Sequence, residues 1–299
     1  MKFSKFSTLL SIFLFALLCD FHLISQAEQK GEAEFRMGYT ANSMSEVDIK
    51  DAAAAIDLWV KEIAFEVGVS AKSYMYNDPD ALIKDLQISK LDMGIMRTTD
   101  YLNTEHQINA DLALGKVKGG KKTVKEVLLV RSDTDYSDIK NLRNKNVAIL
   151  RGDEFGDVFL SSLLIRRKLS DPKHFFNSLQ EKNKPSNVIL AVFFKQADAC
   201  ITTDTSLDIM IKLNPQIGDK TKIIASSPDL IPMVSVMRKD YNEINKQKAM
   251  HKGLTLNKHP RGQQVLLLFQ GERLETLKKS DLDSTRKFMN DFKRLTAEK

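Results

Sequence analysis

The sequence predicts an α/β protein built as two lobes. Strand-like runs alternate with single amphipathic helices along most of the chain. The series restarts after a Gly/Lys-rich interruption at 118–122. The 299 residues, 42% of them hydrophobic, are too many for one small core and enough for two. No repeat of about 20–50 residues is evident, which argues against a solenoid.

At the start, Lys2 and Lys5 precede an uncharged apolar run from Leu9 to Cys19, and Ser25-Gln26-Ala27 offers small residues at a cleavage site. This pattern predicts a secretory signal peptide over residues 1–27. The run is short against a hydrocarbon core of about 30 Å, so removal is favoured over an uncleaved anchor. Lipidation at Cys19 is disfavoured by the bulky Leu18 before it. Removing Lys2, Lys5 and Asp20 lowers the formal charge from +6 by one and leaves Cys200 as the sole thiol, so no internal disulfide can form. In its apolar setting Cys200 reads as a small buried hydrophobe.

The elements then follow in order. Phe35–Tyr39 alternates as a strand and runs into the polar turn Thr40-Ala41-Asn42-Ser43. Ser43 and Glu46 have capping-box spacing, and Ile49, Ala52, Ile56, Trp59, Val60 and Ile63 give a helix that Gly68 stops. Val69–Tyr76 is a strand, Asp78-Pro79 opens a helix, and Leu91–Met96 is a strand whose sequel, Thr98-Thr99-Asp100, can cap a short helix. Two apolar stretches around Lys118-Gly119-Gly120-Lys121-Lys122 predict a hairpin. The second series comprises a strand at Asn146–Leu150, a turn and cap at Arg151–Glu154, a helix through Val158–Leu169, and a helix opened by Pro185. Strands at Ala199–Ile201 and Lys222–Ala225 complete it. Met233–Met237 suits a crossing strand, and 240–299 reads as helices with charged outer faces.

Catalytic signatures are absent from the sequence. His22, His106, His174, His251 and His259 show no metal-ligand spacing, so neither a metal nor any other cofactor is expected. Gly115 and Gly120-Lys121 imitate a phosphate loop, but Lys122 stands where a hydroxyl should bind magnesium and a strand follows. With 45 basic and 39 acidic residues intermixed, no basic stripe offers itself to nucleic acid.

Several phrases stand in a familiar order: Leu91-Asp92-Met93-Gly94-Ile95-Met96 with Tyr101, Val127–Ser132, Ile139–Leu150, Gln196-Ala197-Asp198-Ala199-Cys200, Ile223–Pro232 and His259-Pro260-Arg261-Gly262. In that order the chain resembles periplasmic phosphate/phosphonate-type solute-binding proteins of ABC transporters. The resemblance covers nearly all of the chain after residue 27. It implies a two-lobed periplasmic binding protein fold with two crossover strands and a ligand cleft between the lobes. Lobe 1 would be residues 28–125 plus 233–299, and lobe 2 residues 126–232. The implied protein is a monomeric, non-enzymatic periplasmic receptor that closes over a small anionic or zwitterionic solute and presents it to a membrane permease or a sensor protein.

Carried over by position, the ligand contacts fall at Thr40, Asn42 and Ser43; at Arg97, Thr98, Thr99 and Tyr101; at Arg151, Asp153 and Phe155; and at Thr202, Thr203 and Asp204. Each group also follows a strand in the reading above. Arg151-Gly152-Asp153-Glu154-Phe155-Gly156 replaces the family's Ser/Thr-rich phosphonate loop. Arg97 and Arg151 would sit on opposite lobes, where either could hold a carboxylate or phosphate through paired hydrogen bonds. The alternative is that both form surface salt bridges, that Tyr101 and Phe155 pack cores, and that Ser43, Thr99 and Asp153 cap helices. A cleft enzyme using Asp153, Glu154 or Asp204, and an adaptor with a vestigial cleft, are the competing functions.

Overall fold

The computed structural model describes residues 34–44 and 47–298. The expected signal segment with Cys19, and Glu46 of the anticipated capping box, lie outside them. Strand β1 (Glu34–Thr40) buries Phe35, Met37 and Tyr39 on one face. A 3-10 turn (Ala41–Met44) leads towards helix α1 (Ile49–Val67). The cap of α1 is Asp48, whose carboxylate accepts from Lys50 N at 2.9 Å, while Ser43 Oγ donates to Thr40 O at 2.7 Å. Gly68 ends α1 in the left-handed region at φ 86°, which glycine adopts without a Cβ penalty.

Next come β2 (Ser70–Tyr76), α2 (Pro79–Gln87), β3 (Met93–Arg97), α3 (Thr98–Thr104), β4 (Ala110–Leu112) and β5 (Leu114–Val117). Thr98 and Thr99 do not cap α3 but begin it, and Arg97 at the N-cap position makes no side-chain capping bond. The second series is β6 (Glu126–Arg131), β7 (Asn146–Leu150), α4 (Glu154–Arg166), α5 (Pro172–Phe175), β8 (Ser178–Lys182), α6 (Pro185–Phe193), β9 (Ala199–Thr203), α7 (Asp204–Leu213), α8 (Gln216–Lys220) and β10 (Thr221–Ser226). The chain closes with β11 (Met233–Arg238), α9 (Glu243–Leu254), α10 (Pro260–Leu268), β12 (Arg273–Thr276) and α11 (Asp283–Ala297).

Two five-stranded sheets result, ordered β2-β1-β3-β11-β4 and β10-β6-β9-β7-β8, with a β12-β5 ribbon beside them. Taken from its opposite edge, the second sheet repeats the order of the first. In each, two parallel strands carry their neighbour to an inserted antiparallel strand: β1 and β3 with β11, β7 and β9 with β6. The apolar faces of both sheets are covered on two sides. Phe35, Met37 and Ile95 pack with α1 and α10, Leu82, Leu86 and Met96 form the opposite layer, and Leu128 and Ile201 pack with α4. Gly38 and Gly94 let α2 seat closely, since a Cβ would lie 2.5 Å from Leu91 Cδ1 and 2.9 Å from Leu86 Cδ1 respectively. Cys200 is fully buried, as its apolar setting predicts, and burial pushes its thiol up.

The chain passes between the sheets along two segments that run side by side. Val124 N donates to Leu230 O and Leu230 N to Val124 O, both at 2.8 Å. Thr285 of α11 is fully buried and its Oγ1 accepts from Ile231 N at 2.9 Å beside this pair. Helix α11 also grips both halves: Arg286 forms a two-pronged pair with Glu105 at the end of α3, and Phe288 meets Phe155 of α4 edge-on at 6.3 Å. Phe35–Lys299 consequently hold together as one compact unit.

Two expectations change. The turn at 118–121 exists, with Lys118 and Lys121 exchanging backbone bonds, but its flanks do not form a hairpin, because β5 pairs with β12 and β6 with β9. The polar strands β8 and β12 escape the apolar pattern. Helix α11, in the segment assigned to the first lobe, also contributes Phe288 to the core of the second sheet.

Candidate functional site

Parallel strands deliver their following loops to one end of a sheet, and both sheets here do so towards a shared cleft. The turn after β1 supplies Asn42 and Ser43, the end of β3 supplies Arg97, the turn after β7 supplies Gly152, Asp153 and Glu154, and β9 supplies Thr203. Glu126 lies in the wall at the start of β6 and Lys116 on β5. Met44, Leu150, Phe155, Met233 and Phe269 are the main apolar surfaces. The cavity volume of the cleft is about 70 Å³.

Five of the lining residues carry ionisable side chains, Arg97 and Lys116 opposite Glu126, Asp153 and Glu154 in sign. Arg97 reaches between the halves. Its Nε donates to Asn42 O at 2.9 Å, its Nη2 donates to Gly152 O at 2.8 Å, and its Nη1 is 3.5 Å from Glu154 Oε2. Thr99 Oγ1 donates to the same carboxylate oxygen at 2.6 Å. The bonds to Gly152 O and Glu154 cross the cleft, whereas that to Asn42 O stays on the side of the first sheet. Asp153 caps α4 by accepting from Gly156 N at 3.1 Å. A Cβ at Gly156 would stand 2.6 Å from Asp153 Oδ2, so the cap needs glycine there.

Asp100 stands behind this latch. Burial raises its pKa above the ordinary carboxyl value, and the negative charge of Glu154 adds to the rise, against the lowering effects of Arg97 and of the hydrogen bond from Asn42. The buried oxygens Thr40 Oγ1, Asn42 Oδ1 and Thr98 Oγ1 have no partner among the described residues. They cluster at the ends of β1 and β3, where the cleft lies.

The thirteen expected contacts divide clearly. Asn42, Ser43, Arg97, Asp153, Phe155 and Thr203 line the cleft. Thr40, Thr98 and Thr99 are buried at the strand ends beside it, with Thr99 tied to Glu154. Thr202 is buried in β9, one residue before the cleft wall. Asp204 turns back to its own chain, accepting from Lys125 N and Thr205 N at 3.0 and 2.8 Å. Tyr101 is 1% exposed and packs in the core of the first sheet, as the packing alternative held. Arg151 departs furthest: it is 64% exposed and pairs with Glu181 at 2.8 Å on β8. The physical reason is strand alternation, since Leu150 turns inward and the next side chain must turn out. The sequence pattern missed Lys116, Glu126, Met233 and Phe269. Only position after a sheet edge or a crossover could have singled them out, because none belongs to a turn motif.

Among the described residues no cluster of His, Cys, Asp or Glu could hold a metal, and no helix is long and apolar enough to cross a membrane.

A sequence profile for the family described as "ABC transporter, phosphonate, periplasmic substrate-binding protein" matches residues 44–282, well over half of the chain. No curated protein is similar enough to match. Among solved structures, the binding-protein component of an ABC phosphonate transporter from Pseudomonas aeruginosa is 14% identical, with TM-score 0.63, over 89% of this chain and 88% of its own. A Prochlorococcus marinus protein in complex with methylphosphonate is 14% identical with TM-score 0.64, over 87% and 98%. A Xanthomonas citri protein bound to ATP is 15% identical with TM-score 0.62, over 88% and 98%. At these identities the structures speak for the fold, a two-lobed binding protein.

Proposed function

Because this chain belongs to the phosphonate periplasmic substrate-binding family of ABC transporters, we propose that its cleft closes over a small anionic or zwitterionic solute, which the closed form hands to the transporter's permease. A member of this family binds a solute and does not transform it, so the cleft carboxylates serve recognition and closure. The observation that carries the reading is Arg97. Its guanidinium lies at the end of a parallel strand and is satisfied by Gly152 O and Glu154 of the opposite side. An anion entering the cleft replaces Glu154 at Arg97 with a charged hydrogen bond, worth about 1.5–3 kcal/mol net. A zwitterion also leaves Glu154, Asp153 and Glu126 to receive its positive group.

Within this proposal the contact residues are Asn42, Ser43, Arg97, Asp153, Phe155 and Thr203, joined by Glu154. Thr40, Thr98, Thr99, Thr202 and Asp204 support them from behind. The methylphosphonate held by the Prochlorococcus protein of like fold supports a phosphonate as one solute to try. The lobes are 28–125 with 233–299 and 126–232, and Val124 and Leu230 mark the hinge. The protein acts as a monomer in the periplasm after loss of residues 1–27. A permease is favoured over a sensor protein by the family itself.

The test is a thermal-shift screen of phosphate, phosphonates, carboxylates and amino acids. At least one compact anion or zwitterion raises the melting temperature without being consumed. Arg97→Ala weakens that solute's binding more than tenfold, whereas Arg151→Ala leaves it unchanged. Turnover of the solute, or a screen with no shift at all, sinks the proposal, and size-exclusion chromatography with light scattering checks the monomer.

A further inference from the structure

Behind the cleft lies a second chamber of different character. It shares Met44, Lys116, Met233 and Phe269 with the cleft wall. Beyond them its walls are Trp59 of α1, Ile95 of β3, Val265 and Leu266 of α10, and Leu274 of β12. The cavity volume is about 50 Å³. A dry engineered cavity of about 150 Å³ takes benzene, so a third of that holds a chain of two to three carbons.

Two polar groups other than Lys116 belong to this wall, and their states differ. Ser235 Oγ is fully occupied, donating to Leu114 O and accepting from Leu114 N, both at 2.8 Å. Trp59 is only 6% exposed, and its Nε1 is buried without any partner among the described residues. A buried donor left unpaired costs about 1–3 kcal/mol, and such groups are rare enough to call for an occupant that completes them. Met44 and Met233, at the junction with the cleft, are unbranched side chains that can move aside without a rotamer penalty typical of branched ones.

We infer that the chamber is a side-chain subsite, so that the solute is an anion bearing a short aliphatic substituent with a hydrogen-bond acceptor that the Trp59 indole N–H meets. This inference rests on the receptor reading of the cleft and adds the shape of the solute's far end. The charged head lies among Arg97 and the loop groups. The substituent passes between Met44 and Met233 into the apolar chamber, and an ether or carbonyl oxygen on it accepts from Trp59.

Isothermal titration of the purified protein with methyl-, ethyl-, propyl-, butyl- and hexylphosphonate, and with 2-methoxyethylphosphonate as the oxygen-bearing isostere of the butyl compound, tests it. Affinity rises about fourfold per methylene from methyl to propyl, as burial of each methylene dictates, and falls again at hexyl when the volume is exceeded. The methoxyethyl compound binds about two- to tenfold more tightly than the butyl one, and Trp59→Phe abolishes this preference while butyl binding persists. If methylphosphonate binds but affinity is flat or falling with chain length, the subsite is overturned while the receptor stands. If no phosphonate binds but another compact anion does, the same chain-length series is run on that head group: a rise to three carbons supports the subsite, and a flat or falling series overturns it. Should no anion bind, the receptor reading has failed and the subsite with it. An ether preference that survives in Trp59→Phe overturns the role of the indole, and the chain-length series needs no variant that has to fold.

Discussion

Glu154 meets Arg97 and Thr99 from the far side of the cleft, so in the proposed receptor its carboxylate is the group on which closure turns. Glu154→Gln keeps the shape and removes the charge. The variant is expected to open more readily without solute, seen as a larger radius of gyration in small-angle scattering, and to bind a simple anion several-fold more tightly because Arg97 is freed. Asp100 gives a pH signature. Its folded-state pKa is raised above the ordinary 3.8, by burial first and by Glu154 next. Folding therefore favours the protonated form, and the stability this group contributes is present below its unfolded value and lost as pH rises through the folded one. Asp100→Asn accordingly melts higher than the wild type at pH 7, and the difference shrinks on acidification towards about pH 4, which thermal denaturation over a pH series reads directly. Asp92, 1% exposed and held by Arg36 and Arg238 at 3.0 and 3.1 Å, is a structural counterpart far from the chemistry. Asp92→Ala removes the carboxylate that two part-buried guanidinium groups share, although Arg238 keeps Asp240 and Arg36 keeps Ser89 O, and costs about 3 kcal/mol in urea denaturation, with solute affinity unchanged in the fraction that folds. At this scale the place of Arg97 and Asp153 beside the cleft was legible, since Arg97 ends β3 and Asp153 caps the helix that follows β7. Arg151 misled because proximity in sequence says nothing about which side of the pleat a residue takes.

Among the elements, α11 has the most unexpected role. Its sequence shows a strongly amphipathic helix, and nothing local tells that Phe288 will face α4 while Arg286 faces α3. Phe288→Ala removes an aromatic ring from the core of the second sheet and costs about 3 kcal/mol by denaturant titration. Arg286→Ala leaves the Glu105 carboxylate, now held below its usual range by that guanidinium, without its partner. The strands built from buried apolar runs, β1, β3, β7, β9 and β11, were visible as patterns of side chains. Ser178–Lys182 and Arg273–Thr276 were not, because none of their side chains is fully buried and they owe their place to backbone pairing with β7 and β5.

For the whole molecule, the repeated order of the two sheets and the paired crossing segments make one cooperative body with one hinge line. A solute at about a hundred times its dissociation constant stabilises such a body by about 2.7 kcal/mol and raises a single melting transition by roughly 5–8 °C. Two separate transitions, only one of them responding to solute, would contradict this. The alternation of strands and helices made the two α/β halves legible before any coordinate. That Met233–Met237 crosses was legible from its apolar run after Pro228 and Pro232; the exchange of chain order by which it seats between β3 and β4 was not, since it is decided by partners more than a hundred residues away.

That exchange has a consequence for the order in which the protein takes shape as it is made. The strand at Met233–Arg238 sits in the middle of the first sheet, between β3 and β4, yet it leaves the ribosome only after the whole of the second sheet. The earlier half must wait, with an open seam along Met93–Arg97, while the later half already has all of its strands. The first sheet therefore cannot be completed before translation is well past the midpoint of the chain.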